Sequence, residues 1–298
     1  MTRTSESPSG LVVVDKPGGL TSHGVVSRLR RLARTRRVGH AGTLDPMATG
    51  VLVIGVEKAT RLLGHLALTE KEYAATIRLG RTTVTDDAEG EVTAQVPATG
   101  VTREAVDAGI AALTGSIRQV PSKVSAIKVN GVRSYTRVRE GEEFELAARP
   151  VTVSSFTVQA MRVPADVPDV VDLDVTVVCS SGTYIRALAR DLGAGLGVGG
   201  HLTALRRTRV GPYGLGVART LEQLEESFAV LPIEQAADAA FPRWDVDAEQ
   251  ARLLGHGVRI KAPALADGPN AVFGPDGRFL ALVEEKQGQA RIVAGFGQ

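Results

Sequence analysis

Residues 37–52 read RVGHAGTLDPMATGVL. Glycines at 39, 42 and 50 and the Asp45-Pro46 step interrupt both helical and strand periodicity, which marks a shaped loop between a basic segment and an apolar run. An aspartate before proline favours a turn, and that alone accounts for Asp45. The alternative is that the loop presents the Asp45 carboxylate for chemistry. Local sequence leaves both open.

Working outward, SRLRRLARTRR (27–37) carries six arginines and no acid, in a chain of 298 residues whose net charge is only +2. Val25, Val26, Leu29 and Leu32 have helical spacing, so the arginines occupy the other face of a helix that starts near Thr21 or Ser22. A solvated helix face is the ordinary explanation. Without glutamates at i±4, however, the block lacks the pairing that usually accompanies such faces, and it suits phosphate. Before it, LVVVDKPGGLTSH reads as a buried strand ending in a Pro-Gly turn. After the loop, GVLVIGVEKATRLLGHLAL reads as a strand and then a helix.

Further on, KEYAATIRLG (71–80) alternates as a half-buried strand, and TTVTDDAEGEV is a turn-rich hairpin connection. REAVDAGIAALTG is an amphipathic helix ended by Gly115. Residues 121–149 are long, polar and basic, with a hairpin-like Asn130-Gly131 step. Strands are expected in VTVSSFTVQAMRV and VDLDVTVVC, then a helix through YIRALARDLG. The AADAA stretch before Pro242 suggests a boundary, leaving 241–298 as a small β-rich module with a hairpin turn at Gly274–Gly277.

Several function classes fall away. Apolar runs such as LVVV are far too short to span a membrane, and the polar start MTRTSESPSG has no secretory core, so a cytoplasmic protein is expected. The single cysteine, Cys179, precludes an intramolecular disulfide and reads as a small buried thiol at a strand end. Histidines at 23, 40, 65, 201 and 256 show no zinc spacing, so no metal is expected. GLGVGG (195–200) matches the dinucleotide pattern in letters only: it follows a helix rather than a strand, and a helix-ending turn fits better. GHAGTLDPMATG lacks the Lys-Ser/Thr pair of a phosphate loop. What remains is His40, Asp45, Tyr73, Tyr184 and Arg186, each with an ordinary packing, capping or ion-pair alternative when taken singly.

Taken together, these segments resemble the TruB-type tRNA pseudouridine synthases. GHAGTLDPMATGVL resembles that family's catalytic loop, with its aspartate at Asp45. VDKPGGLTSH resembles the opening strand-turn motif, with Lys16 and Pro17 in place. KEYAATIRLGRTTVTDDAEG resembles the segment carrying the active-site tyrosine, here Tyr73. VPSKVSAIKVNGVRSY resembles an RNA-gripping insertion, with Ser122 where a second proline is usual. CSSGTYIRALARDLG resembles the segment supplying Tyr184 and Arg186, and HLTALRRTRVGPY places Leu205 beside Arg206 and Arg207. The order from Leu11 to Tyr213 is the family's.

The resemblance implies an α+β pseudouridine synthase fold: a mixed, mostly antiparallel sheet with flanking helices and a central catalytic cleft, plus a C-terminal β-rich PUA-like domain. The implied division is a tail over 1–9, a catalytic domain over 10–240 with its insertion at about 121–149, and the RNA-binding module over 241–298. It also implies isomerisation of uridine 55 in the tRNA T loop to pseudouridine by a monomer, without cofactor. Asp45 would be the nucleophile and Arg186 would hold it ionised. Tyr73 would stack on a flipped base, His40 would occupy the space the base leaves, and Tyr184 and Leu205 would line the pocket. The basic helix, the insertion and Arg206, Arg207 and Arg209 would contact phosphates. The alternative is a non-catalytic tRNA-binding or tRNA-folding protein on the same scaffold.

Overall fold

The computed structural model describes residues 9–122, 128–129, 132–133 and 146–296. Along the chain, β1 (Gly10–Lys16), α1 (Ser22–Leu32), β2 (Val38–Ala41) and β3 (Thr49–Val56) come first. A 3-10 segment (Glu57–Leu62) and α2 (Leu63–Ala67) precede β4 (Lys71–Leu79), β5 (Arg81–Thr83), β6 (Val92–Gln95), α3 (Arg103–Ala112) and β7 (Gly115–Gln119). Two short strands, β8 (Lys128–Val129) and β9 (Val132–Arg133), are followed by β10 (Arg149–Arg162), β11 (Val171–Cys179), α4 (Ile185–Gly195) and β12 (Gly200–Val210). The remainder holds β13 (Tyr213–Gly214), α5 (Leu221–Glu226), β14 (Leu231–Pro232), α6 (Ile233–Ala240), β15 (Arg243–Asp245), α7 (Ala248–Gly255), β16 (Asn270–Phe273), β17 (Phe279–Lys286) and β18 (Gln289–Gly295).

These elements form two compact units. The first comprises residues 1–45, 51–68 and 210–298; the second comprises 46–50 and 69–209. In the first unit the strand order is β14-β1-β3, with β2 antiparallel on β3, and a separate sheet runs β15-β16-β17-β18. Leu11, Val13, Val51, Val53, Phe273 and Leu282 share one core there. Each such aliphatic or aromatic side chain removed from water contributes about 1.5–3 kcal/mol. The AADAA stretch, read above as a boundary, is helical. Ala236 and Ala237 are fully buried in α6, and the Tyr213 hydroxyl donates to the Ala236 carbonyl at 2.7 Å. Small side chains there permit close packing of α6.

In the second unit the order is β12-β4-β11-β10-β7, antiparallel between β4 and β11, β11 and β10, and β10 and β7. Thr49 and Gly50, the first residues of β3, run parallel to Arg206 and Arg207 of β12. The alternation read in KEYAATIRL is realised: Lys71, Tyr73, Ala75, Ile77 and Leu79 are buried, and the residues between them are not. Cys179 is buried at the end of β11, and burial pushes its thiol up to about 11. GLGVGG does end a helix: Gly197 and Gly199 take positive φ, and a side chain on Gly193 would collide with the Gly199 backbone at 2.2 Å. The mixed strands and helices are those the sequence led us to expect. The Asn130-Gly131 step lies outside the described residues; Lys128 and Val129 on one side of it pair antiparallel with Val132 and Arg133 on the other.

Candidate active site

The loop carrying Asp45 is anchored on the residues before it. β2 delivers the chain antiparallel to β3, with Ala41 opposite Val53, and Gly42 then turns it with φ +78°. Leu44 is buried and its backbone is held from both sides by one hydroxyl: Ser22 Oγ donates to the Leu44 carbonyl at 3.0 Å and accepts from its N–H at 2.9 Å. Of the two helix-start residues read from sequence, Thr21 is the cap, accepting from Gly24 N–H. Ser22 is thereby left to clamp the loop. Asp45, the next residue after that clamp, is half-buried. His40 lies on β2 with its ring edge-on to His23, centroids 5.5 Å apart. Lys16 is fully buried, and its ammonium donates to the carbonyls of Pro17 and Leu20, so this lysine closes the opening turn. After Asp45, Gly50 has φ +97°, and a Cβ there would sit 2.2 Å from the Arg207 carbonyl oxygen; only glycine permits that approach.

The other residues read from sequence are in the second unit. Tyr73 is buried on β4 opposite Val177. Tyr184 immediately precedes α4, and the Gln119 side chain holds it at the backbone, accepting from its N–H at 2.8 Å and donating to its carbonyl at 3.1 Å. Arg186, in the first turn of α4, is only 4% exposed. It donates to the Thr85 carbonyl at 2.8 Å and pairs with Asp87, itself 2% exposed, at 3.3 Å. Asp87 in turn accepts from the Thr85 hydroxyl at 2.5 Å and from Glu89 N–H at 3.0 Å. A buried guanidinium is tolerable only with such partners, so the turn over 83–90 is built around Arg186.

A cavity of about 590 Å³ opens in this unit, lined by Met47, Thr49, Thr76, Glu89, Leu205 and Arg206 among others. Leu205 is one of its lining residues, while Tyr73 adjoins the lining residues Ala74 to Thr76 on β4. Met47 lies two residues beyond Asp45 in the chain. The sequence-read residues therefore divide: His40 and Asp45 belong to the first unit, and Tyr73, Tyr184, Arg186 and Leu205 to the second.

The family model described as TruB family pseudouridylate synthase (N terminal domain) matches residues 30–185, more than half of the chain. The chain belongs to the TruB family of pseudouridylate synthases. Two further models of that family, a tRNA pseudouridylate synthase B C-terminal domain and a tRNA pseudouridine synthase II C-terminal domain, match residues 186–239 and 241–297. Among its TruB relatives are the proteins named tRNA pseudouridine synthase B from Streptomyces griseus subsp. griseus and Streptomyces avermitilis. The first is 68% identical over 99% of this chain and 100% of its own, the second 68% identical over 100% of both. A crystal structure of a Cbf5-Nop10-Gar1 complex contains a chain with the same fold, at TM-score 0.72 and 27% identity over 98% of this chain and 85% of that one.

Sequence reading of this TruB chain missed Ser22, Asp87 and Gln119. The doubled acid in TTVTDDAEG was the one local hint for Asp87; nothing nearby in sequence marks a serine that grips Leu44 twenty-two residues away. The phosphate assignment also needs correction. Arg207 is 1% exposed and Arg209 is paired with Glu70 at 2.9 Å, so neither presents a free cation. Arg206 reaches Thr49 Oγ1 at 3.3 Å and lines the cavity. At the end of α1, by contrast, Arg30, Arg31, Arg34 and Arg36 ring a surface hollow of about 690 Å³. The Arg31, Arg34 and Arg36 side chains make no ion pair among the described residues. Arg207 also leaves its mark on buried Lys71: burial, then the nearby Arg207 charge, lowers the Lys71 ammonium to about 8, with Cys179 acting the other way.

Proposed function

We propose that this protein isomerises uridine 55 in the T loop of tRNA to pseudouridine, with Asp45 as its catalytic carboxylate. The observation that carries the reading is the match of TruB family models across residues 30–239 and 241–297, joined to relatives 68% identical and named tRNA pseudouridine synthase B. The reaction is balanced within the substrate. The N1–C1′ bond breaks, a C5–C1′ bond forms, C5 loses a proton and N1 gains one, so no electron or atom is exchanged with a cofactor. A positioned carboxylate suits the first step, and a loop held by Ser22 just before Asp45 supports giving it that task.

Arg186 then supplies a positive charge to the reaction, from a position already fixed by Thr85 and Asp87. A uridine within a folded loop has to leave its stack, at a cost of a few kcal/mol. Tyr73 receives the flipped base, Tyr184 and Leu205 flank it, and His40 occupies the space it vacates. The arginines at the end of α1 bind RNA phosphates, and the 241–298 module adds RNA contact. We read the active form as a cytoplasmic monomer.

The test is tritium release from tRNA labelled at uridine C5, with wild-type protein and Asp45→Asn. Asp45→Asn is expected to abolish release while its tRNA affinity stays within about threefold, since charge-neutral asparagine preserves the loop's shape. Release by the variant at a wild-type rate would leave a tRNA-binding or tRNA-folding protein as the reading.

A further inference from the structure

Two arginines one helical turn apart on α4 meet two successive aspartates of the 83–90 turn. Arg186 takes Asp87 at 3.3 Å, and Arg190 takes Asp86, Nη1 to Oδ2, at 3.4 Å. The other two Arg190 nitrogens are engaged as well: Nε donates to Asp191 at 2.8 Å and Nη2 to the Val120 carbonyl at 2.7 Å. One side chain therefore ties α4, the turn and the segment just after β7. Asp86 contributes a second tie through its backbone, whose carbonyl accepts from Leu202 N–H at 3.0 Å, three residues before the cavity-lining Leu205.

Asp86 bears two costs. Its φ is +60°, the left-handed region that asparagine and aspartate enter more readily than other side-chain-bearing residues. Burial also raises its carboxyl above the ordinary carboxylate range, against the opposing pull of Ser122, Arg190 and Arg186, with Asp191 adding to the rise. The folded state thus holds the Asp86 proton more tightly than the unfolded state does. Keeping the residue ionised at neutral pH costs folding stability, and that cost grows as pH rises through its carboxyl range. A position that is strained and costly when charged is not explained by stability. The left-handed backbone does explain how neighbouring carboxylates come to serve two different arginines.

We propose that Asp86 and Arg190 are a positioning pair: they hold the 83–90 turn so that the Thr85 carbonyl and Asp87 fix the direction of the Arg186 guanidinium, and neither residue touches RNA. This rests on Arg186 being a pocket residue of a pseudouridine synthase. Loss of either partner leaves RNA capture intact and slows the step that depends on Arg186.

The experiment uses the full chain and unmodified tRNA, comparing wild type, Asp86→Asn, Arg190→Gln, the double variant and Asp86→Glu. Asparagine keeps the tolerance for positive φ and removes only the charge. Each single variant is expected to lower the single-turnover rate at least tenfold with tRNA affinity within threefold. The double variant should be no slower than the slower single, because the two act as one unit. Asp86→Glu should recover part of the rate, and Asp86→Asn should melt no lower than wild type at neutral pH. Rates within twofold of wild type, losses that multiply in the double variant, or affinity falling in step with rate would overturn the pair. A readout independent of activity is the Arg186 Nε–H resonance, assigned with Arg186→Lys: it should shift or broaden in Asp86→Asn, and an unchanged resonance also overturns the pair. Wild type that binds tRNA but releases no tritium would instead overturn the proposed activity, with the resonance still deciding on the pair.

Discussion

At the scale of single residues, the site is dominated by charges withdrawn from water and matched in advance. Arg186 and Asp87 are both buried, and their pair is joined by the Thr85 carbonyl and hydroxyl and by Glu89 N–H. Removing one member of such a pair strands the other, at about 3–5 kcal/mol. Asp87→Asn keeps the shape and loses the charge. Because the Thr85 carbonyl still receives Arg186, the loss should fall near the lower end, about 3 kcal/mol, or roughly 5 °C in melting temperature for a protein of this size. Activity should fall further than stability explains, since Arg186 loses one of the partners that fix its direction. A melt within 2 °C of wild type would show that Asp87 is not the partner that makes Arg186 tolerable there.

At the scale of elements, the Asp45 loop is specified at its two ends rather than along its length. Ser22, from the first turn of α1, satisfies both backbone groups of buried Leu44. Ser22→Ala leaves that N–H and carbonyl unpaired, at about 1–3 kcal/mol, with little change in volume. The expected outcome is a lowered melting temperature together with at least a tenfold slower single-turnover rate, because the residue that follows the freed backbone is Asp45. A variant that melts lower but turns over at the wild-type rate would mean the clamp serves folding alone. β4 shows the same logic in a sheet: one pleat face buries Tyr73 between Lys71 and Ala75, and the adjoining residues Ala74 to Thr76 line the cavity.

At the scale of the whole molecule, a net charge of +2 conceals a strongly uneven surface. Arg209 is tied to Glu70 and Glu72 and Arg207 is buried, whereas Arg31, Arg34 and Arg36 project around one hollow. If those three meet RNA phosphates, replacing them together with glutamine should flatten the salt dependence of tRNA binding. The slope of log affinity against log salt should drop by about 0.7–0.9 for each phosphate no longer neutralised. Arg209→Gln should leave the slope unchanged. Equal slopes for the triple variant and wild type, measured over 50–200 mM salt, would remove the α1 arginines from the RNA-binding surface.

Much of this is legible in the sequence. Short-range rules sufficed for the β4 alternation, the capped start of α1, the glycine turn after α4 and the burial of Cys179, because each depends on neighbours in sequence and on the period of the backbone. The motif order sufficed for the family. The tertiary structure alone decided which charges meet. It gave Arg186 to Asp87 across about a hundred residues of chain, Arg190 to Asp86, and Ser22 to Leu44, and it made AADAA a core helix. Local propensity is a property of a few consecutive residues, whereas a buried ion pair exists only where the sheet and helices bring distant segments within 3–4 Å. The partner of a buried charge therefore has no signature in the sequence around it.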